Sequence, residues 1–337
     1  MRGFYFPMKK QISIKFTNGL DFEIGLKDIL FCVAHEYKFV DSDNPDFIVF
    51  GPYGNDIPRP GNYTRIGYFC ENFMPDLSIC EWAFGIPYVE DIKSDKYARI
   101  EWHGVDLNSL IKKDLDLDAV IARKTKFCNF VYSNPVPLRE RFFQSLSKYK
   151  PVDAPGKSMN NMTSFDANKQ GDIWQRKQNF LTEYKFTIAF ENYSYPGYNT
   201  EKILDPMIVN SLPIYLGNPY INRHFNPKSF INAHEYIETN NSWIINFLEY
   251  NCQPDFEDMR PSTFKTLPNK AKRKIKTIGR ELKSHLQYKN FDQLINRIIE
   301  IDQDDQLYAE YLLEPWFYNN IPPTNHSLIS RWRQILG

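Results

Sequence analysis

The segment FENYSYPGYNTEKILDP (190–206) places carboxylates, amides, phenols and a lysine between an apolar run, KFTIAF (185–190), and a helical pattern over 201–210. A plain strand-to-helix connection needs only a few turn residues. In a helix starting near Thr200, the first N–H groups, those of Glu201, Lys202 and Ile203, have no intrahelical partners and suit an anion. Lys202 adds a full charge in the first turn, where the helix dipole prefers an acid, and a diphosphate would neutralise both. Glu201 can accept hydrogen bonds from vicinal hydroxyls, as acidic residues do for ribose in dinucleotide sites. Tyr195 and Tyr198 offer faces or hydroxyls to a base. A solvated lysine at a surface helix start is the plainer reading of the same residues. Pro206 removes a helix hydrogen bond and predicts a kink.

Other candidates lie elsewhere. Arg139 in SNPVPLR opens a helix after an apolar strand, where its guanidinium can fork onto phosphate oxygens. An exposed helix arginine is the alternative. Glu71 in FCENF follows an apolar strand, a position from which a carboxylate can face a cleft. Lys228 in FNPKSF sits on a turn and faces either a ligand or solvent. Paired aspartates at 41–43, 114–118 and 302–304 have a spacing that can hold a divalent cation. The first pair precedes a strand and the others fall in helical or charged runs, so no metal is expected. The six histidines show no H-x-x-x-H spacing, so no zinc site is proposed.

The elements that would position these residues alternate along the 337-residue chain. Runs at 10–16, 46–50, 65–70 and 82–86 read as strands, with a short helix at Leu107–Lys113. The pattern restarts at KFCNFVYSN (126–134), followed by helices over Leu138–Tyr149 and Asp172–Glu183, strand 185–190, helix 201–210 and strand 213–217. This succession predicts α/β layering with parallel sheets and ligands at the C-terminal strand ends. Two Rossmann-like halves are expected, 1–123 and 124–310, with helices near 241–251, 265–288 and 291–300. Residues 311–337 form a helical tail that packs back on the body, its alternative role being a peripheral membrane contact.

Formal net charge is zero, which disfavours a nucleic-acid partner. The basic run Lys265–Arg280 reads as a solvated helix face, with an anionic membrane surface as the other reading. The five cysteines lack C-x-x-C spacing and read as free thiols in a reducing, cytoplasmic compartment. The N-terminus has no signal-peptide core, and no apolar run approaches the ~20 residues that span a bilayer.

Two stretches then become familiar. YKFTIAFENYSYPGYNTEKI, with SLPIYLGNPYINRHFNPKSFIN after it, resembles the donor-binding signature of the α1,3/4-fucosyltransferases, glycosyltransferase family 10, in its bacterial form. NPDFIVFG…YFCENFMPD (44–76) resembles the family's N-terminal segment, with Cys70 where glycine is usual, and FCNFVYSNPVPLR (127–139) resembles the start of its donor domain. The resemblance covers roughly residues 40–235; the family's heptad repeats and basic tail are absent. It implies a GT-B fold, two Rossmann-like domains facing across a cleft, and no required cofactor or metal. It also implies inverting transfer of L-fucose from GDP-L-fucose to the GlcNAc of an N-acetyllactosamine-type glycan acceptor, with α1,4 linkage and Lewis x-like products in view. By the same resemblance Glu71 is the base, Arg139 and Lys202 hold the diphosphate, and Glu201 holds fucose or ribose hydroxyls. Asn192 and Tyr198 are donor contacts, whereas Glu191 either shares that role or holds the loop. The rival readings are another GT-B nucleotide-sugar transferase and an inactive glycan-binding relative. The stretch 97–106, with Trp102 as a sugar platform or a core residue, is the candidate for acceptor choice.

Overall fold

The computed structural model describes residues 9–101, 107–167, 172–323 and 326–337; Trp102 and residues 103–106 of its stretch lie outside them. Two compact units result. One comprises residues up to 105 with 253–275 and 324–337; the other comprises 106–252 and 276–323. The boundary near 123 read from the sequence therefore shifts. The helix Leu117–Arg123 packs Leu117, Val120 and Ile121 against the second unit's core, which draws it out of the first.

The first unit holds a six-stranded sheet in the order β2-β1-β3-β4-β5-β6, with β1 Lys10–Thr17, β2 Tyr37–Asp41, β3 Phe47–Phe50, β4 Thr64–Phe69, β5 Trp82–Gly85 and β6 Tyr97–Arg99. Every ladder is parallel. Strands β1, β3, β4 and β5 fall on the apolar runs of the sequence. Strands β2 and β6 were not legible there, because their side chains do not form a run of that kind. The expected helix at 107–113 is reduced to a 3-10 turn, Leu107–Leu110.

The second unit's sheet has the order β11-β10-β9-β7-β8, also parallel throughout, from β7 Lys126–Asn129, β8 Val152–Asp153, β9 Tyr184–Phe190, β10 Leu212–Leu216 and β11 Ile231–Asn232. Strands buried on both faces read as continuous apolar runs, which is why β9 and β10 were conspicuous and two-residue β8 and β11 were not. Helices at Pro137–Leu146, Ile173–Leu181 and Glu201–Ile208 alternate with these strands, and Phe142, Phe143 and Leu146 of the first pack into the core. Both sheets share one doubly wound order. The chain turns one way from the strand beside the reversal and the other way from its neighbour, which leaves a crevice at the carboxyl ends of β1 and β3, and of β7 and β9.

The tail forms a helix, His326–Leu336, that belongs to the first unit. Trp332 is fully buried and stacks on Phe84 with ring centroids 4.4 Å apart. Arg331 donates to the carbonyls of Asp95 and Tyr97, and Arg333 pairs with Glu36 at 2.7 Å. The apolar face and the guanidinium groups of this helix are thus engaged by the protein itself. Trp332→Ala should cost about 3–5 kcal/mol, the range for emptying an aromatic core position; chemical denaturation measures it, and a cost under about 1 kcal/mol would contradict this packing.

Candidate active site

The crevice between β7 and β9 is lined by the two connections that the sequence singled out. Strand β9 ends at Phe190, whose N–H donates to the Tyr132 hydroxyl at 2.7 Å; that hydroxyl lies 2.8 and 3.0 Å from the carbonyls of Ile188 and Phe190. Tyr132 comes from the connection after β7, so one buried phenol ties the two strand ends together.

Glu191 follows, its side chain inaccessible to solvent. Its N–H donates to Leu216 at the end of β10, and its Oε1 accepts from the Thr200 N–H (3.1 Å) and hydroxyl (2.7 Å). The carboxylate therefore closes the loop onto the start of the next helix, the loop-holding role. Thr200 caps that helix by accepting from the Lys202 N–H. Lys202 Nζ curls back to lie 3.2 Å from Glu191 Oε2, 3.1 Å from Thr200 Oγ1 and 3.4 Å from Glu201 Oε1.

Burial raises the Glu191 pKa, only partly offset by Lys202. Burial would lower that of Lys202, but the carboxylates of Glu191 and Glu201 overcome it and hold the ammonium above the usual lysine range. Glu201 is the more open carboxylate, at 36% side-chain exposure. Burial works against its charge, yet Lys202 and Lys177 keep its pKa below the ordinary value. The result is an ammonium held charged at the first turn of a helix, with a partly open carboxylate beside it. That arrangement can receive an anion and a pair of hydroxyls.

Arg139 differs from the exposed helix residue that is one reading of its position. It is 1% exposed. Its Nη1 donates to Asn192 Oδ1 at 2.9 Å, its Nη2 donates to the Asn134 carbonyl at 2.8 Å, and its guanidinium lies 3.9 Å from the centre of the Tyr132 ring. Burial lowers its pKa, and Nε is left without an acceptor. Nη2 carries a second N–H beyond the one given to Asn134, so these bonds do not use up the guanidinium's donors. In this geometry Arg139 orients Asn192.

Tyr195 and Tyr198 are buried, 6% and 8% exposed, rather than standing open as platforms. Their loop turns at Gly197, where φ is 84° and its N–H donates to Asn218 Oδ1 at 2.9 Å. Asn218 is fully buried; it also bonds the Tyr215 hydroxyl through its N–H and Asn199 through its amide. Lys177, from the preceding helix, lies 2.7 Å from Asp205, giving a buried ion pair under the Glu201 helix. Sequence reasoning missed Tyr132, Asn218 and Lys177, and only Asn218 had a signal, its place in a turn directly after an apolar strand. Pro206 stands inside the helix as read, and Ser211 N–H returns to its carbonyl.

His234 Nε2 lies 3.1 Å from the Gly217 carbonyl, and burial lowers its pKa from the ordinary 6.5. The folded state therefore takes up this proton less readily than the unfolded chain, so stability is complete above about pH 6.5 and declines as pH falls toward the depressed value. The loss in Tm between pH 7.5 and 5.5 should be smaller in His234→Gln. Equal losses in both proteins would assign the effect to other groups.

In the first unit, Glu71 follows β4, and the Tyr53 hydroxyl, from the connection after β3, donates to its Oε1 at 2.5 Å. Burial, then the nearby Cys70 and Glu71, push the Tyr53 pKa well up, so the phenol keeps its proton and stays a donor. Phe73, two residues on, packs with Phe69 against Phe256. Residues 253–275 thus supply the support beneath the Glu71 turn. Lys228 lies in a 3-10 turn, where its N–H donates to Asn226 Oδ1. The aspartate pairs have local uses, with Asp43 bound to Lys15 and Asp302 to Tyr149 and Lys150. Among the described residues no group of three or more His, Cys, Asp or Glu could hold a metal ion.

Comparison with known proteins meets this geometry. Residues 121–251 match the family model "Glycosyltransferase family 10 (fucosyltransferase) C-term". These residues are similar to the C-terminal part of that family. The matched segment contains β7, β9 and both crevice connections. The chain is 30% identical over 248 residues to an alpha-(1,3)-fucosyltransferase of Helicobacter pylori, covering 62% of this chain and 50% of that protein. It is 37% identical over 87 residues to alpha-(1,3)-fucosyltransferase B of Drosophila melanogaster, covering 25% and 20%. It spans half the length of the first relative and a fifth of the second. A crystal structure of alpha1,3-fucosyltransferase with GDP superposes with a TM-score of 0.66 at 22% identity, over 98% of this chain and 91% of that one. That likeness establishes the fold as GT-B, with two parallel-sheet α/β domains.

Proposed function

We propose that the protein is an inverting α1,3-fucosyltransferase that moves L-fucose from GDP-L-fucose to the GlcNAc of an N-acetyllactosamine-type glycan. One observation carries the reading. Within the residues that match the family 10 model, Lys202 is held charged against Glu191 and Thr200 at the helix N-terminus beside the β7/β9 crevice. The relatives support the donor, since their names record α1,3-fucosyltransferases and a related structure was solved with GDP-fucose.

In this mechanism the diphosphate sits on the first N–H groups of the Glu201 helix and on Lys202, which offset the charge that grows as GDP departs. Glu201 accepts from hydroxyls of the fucose or ribose. Asn192, oriented by Arg139, and Tyr198 complete the donor contacts. Glu71, oriented by Tyr53, takes the acceptor hydroxyl proton as the acceptor oxygen bonds to C1; the bond from C1 to the β-phosphate oxygen breaks, and its electrons leave with GDP. We place the reaction in the cytoplasm, where the five thiols stay reduced.

Incubation with GDP-fucose and each of the two N-acetyllactosamine-type disaccharides, followed by product analysis, tests this reading. An α1,3-linked product on the type 2 chain is expected, and a 1,4-linked product on the type 1 chain would extend it. Tight GDP binding with neither transfer nor donor hydrolysis would overturn it in favour of an inactive relative. Calorimetric preference for UDP over GDP would overturn the donor.

A further inference from the structure

Two turns of the first unit meet over the crevice at the carboxyl ends of β1 and β3, a switch point at which a doubly wound sheet receives a ligand. Residues 18–20 follow β1 and residues 51–54 follow β3, and the two turns clamp one another. Gly51 N–H donates to the Thr17 carbonyl and Tyr53 N–H to the Asn18 carbonyl, both at 3.2 Å, and Asn18 Nδ2 donates to the Gly51 carbonyl at 2.5 Å. Two glycines permit the close approach. A methyl group on Gly54 would lie 2.3 Å from Asn18 Oδ1, and one on Gly19, where φ is 93°, would lie 2.6 Å from Tyr53 Cβ.

The clamp fixes one aromatic ring in place. Tyr53 is held at its N–H, at its Cβ and at its hydroxyl, which donates to Glu71 Oε1 at 2.5 Å. It nevertheless remains 44% exposed. Single exposed apolar side chains are ordinary. A three-point hold on one is not, because side-chain entropy favours letting an exposed ring move. Phe31 is the other exposed aromatic among the described side chains of this unit, and it precedes β2, at the amino ends of the strands. A rigid tyrosine offers an apolar face at small entropic cost. A pyranose, with C–H groups gathered on one face of its ring, matches it. The carboxylate then fixes where that sugar must be. A general base works within about 2.6–3.2 Å of the atom that gives up the proton, so the hydroxyl deprotonated by Glu71 belongs to a sugar at the edge of the Tyr53 ring.

We propose that the exposed face of Tyr53 is the platform on which the acceptor pyranose rests, so that its hydroxyl orients Glu71 while its ring sets which sugar hydroxyl meets that carboxylate. The inference rests on the reading of Glu71 as the base of a fucosyl transfer and adds the acceptor subsite to it. Steady-state kinetics with N-acetyllactosamine and GDP-fucose test it. Tyr53→Phe keeps the ring and loses the hydroxyl, so kcat should fall while the acceptor KM stays close to that of the wild type. Tyr53→Leu loses both; kcat should fall as in Tyr53→Phe, and the acceptor KM should rise about fivefold or more as the apolar sugar face loses its cover. Tyr53→Met should repeat that rise, which guards against a packing defect peculiar to leucine. Unchanged circular dichroism and GDP affinity would show that the variants fold. Equal acceptor KM values in Tyr53→Phe and the two non-aromatic variants would overturn the inference. So would a rise in acceptor KM matched by an equal rise in the KM for GDP-fucose, which is the mark of a general structural defect. Near wild-type turnover in Glu71→Gln would overturn the base instead, while the KM contrast between the Tyr53 variants alone decides the platform, so the two readings fail separately.

Discussion

Glu71→Gln should bind GDP like the wild-type protein while turnover falls by on the order of 10²-fold or more, the scale of general-base catalysis. The amide is nearly isosteric and can still accept from the Tyr53 hydroxyl through its carbonyl oxygen, so the turn after β4 keeps its geometry. Only the capacity to take a proton is lost. Tyr53→Phe is the companion variant. It removes the orienting donor but leaves the carboxylate, so its loss in turnover should be smaller than that of Glu71→Gln. Turnover and GDP titration together decide the matter. Near wild-type turnover in Glu71→Gln would remove the carboxylate from the mechanism, whatever the fold of its surroundings.

Lys202→Ala should weaken GDP binding by roughly 1.5–3 kcal/mol, the value of a hydrogen bond to a charged group. The structure adds a second consequence. Lys202 is the cation beside Glu191, a carboxylate with no solvent access. Removing one member of a buried pair costs about 3–5 kcal/mol, because the other charge is left uncompensated. The alanine variant should therefore lose stability as well as affinity. Protonation would limit the damage, since burial already raises the Glu191 pKa. The double variant Lys202→Ala/Glu191→Gln separates the two effects. The neutral amide can still accept from Thr200, so most of the stability should return while the GDP deficit persists. If GDP affinity returned with stability, Lys202 would serve the fold alone and the diphosphate assignment would fail.

The same pair shows how far local sequence reaches. An apolar run ending at Phe190, a threonine cap and a carboxylate–lysine step into a helix are all short-range facts, and the structure has each of them where the sequence suggested. Lys202 in the first turn looked unfavourable against the helix dipole. Its compensation is Glu191, eleven positions earlier, brought within 3.2 Å by a loop whose course depends on Gly197 and Asn218. Arg139 shows the opposite case. Its spacing from Arg141 suggests solvent, but β7 and β9 being neighbours puts the connection after β9 directly over its helix start.

By itself the sequence determined the strand–helix alternation, the position of the anion-ready helix start and the motif that resembles family 10. These depend on periodicity and on residues close in the chain, where the physics is local. Only the tertiary structure decided the boundary between units, the return of 253–275 and 324–337 to the first of them, and the burial of Arg139. Each of these turns on which distant segments share a core. That choice minimises exposed apolar area over the whole chain, and no local window records it.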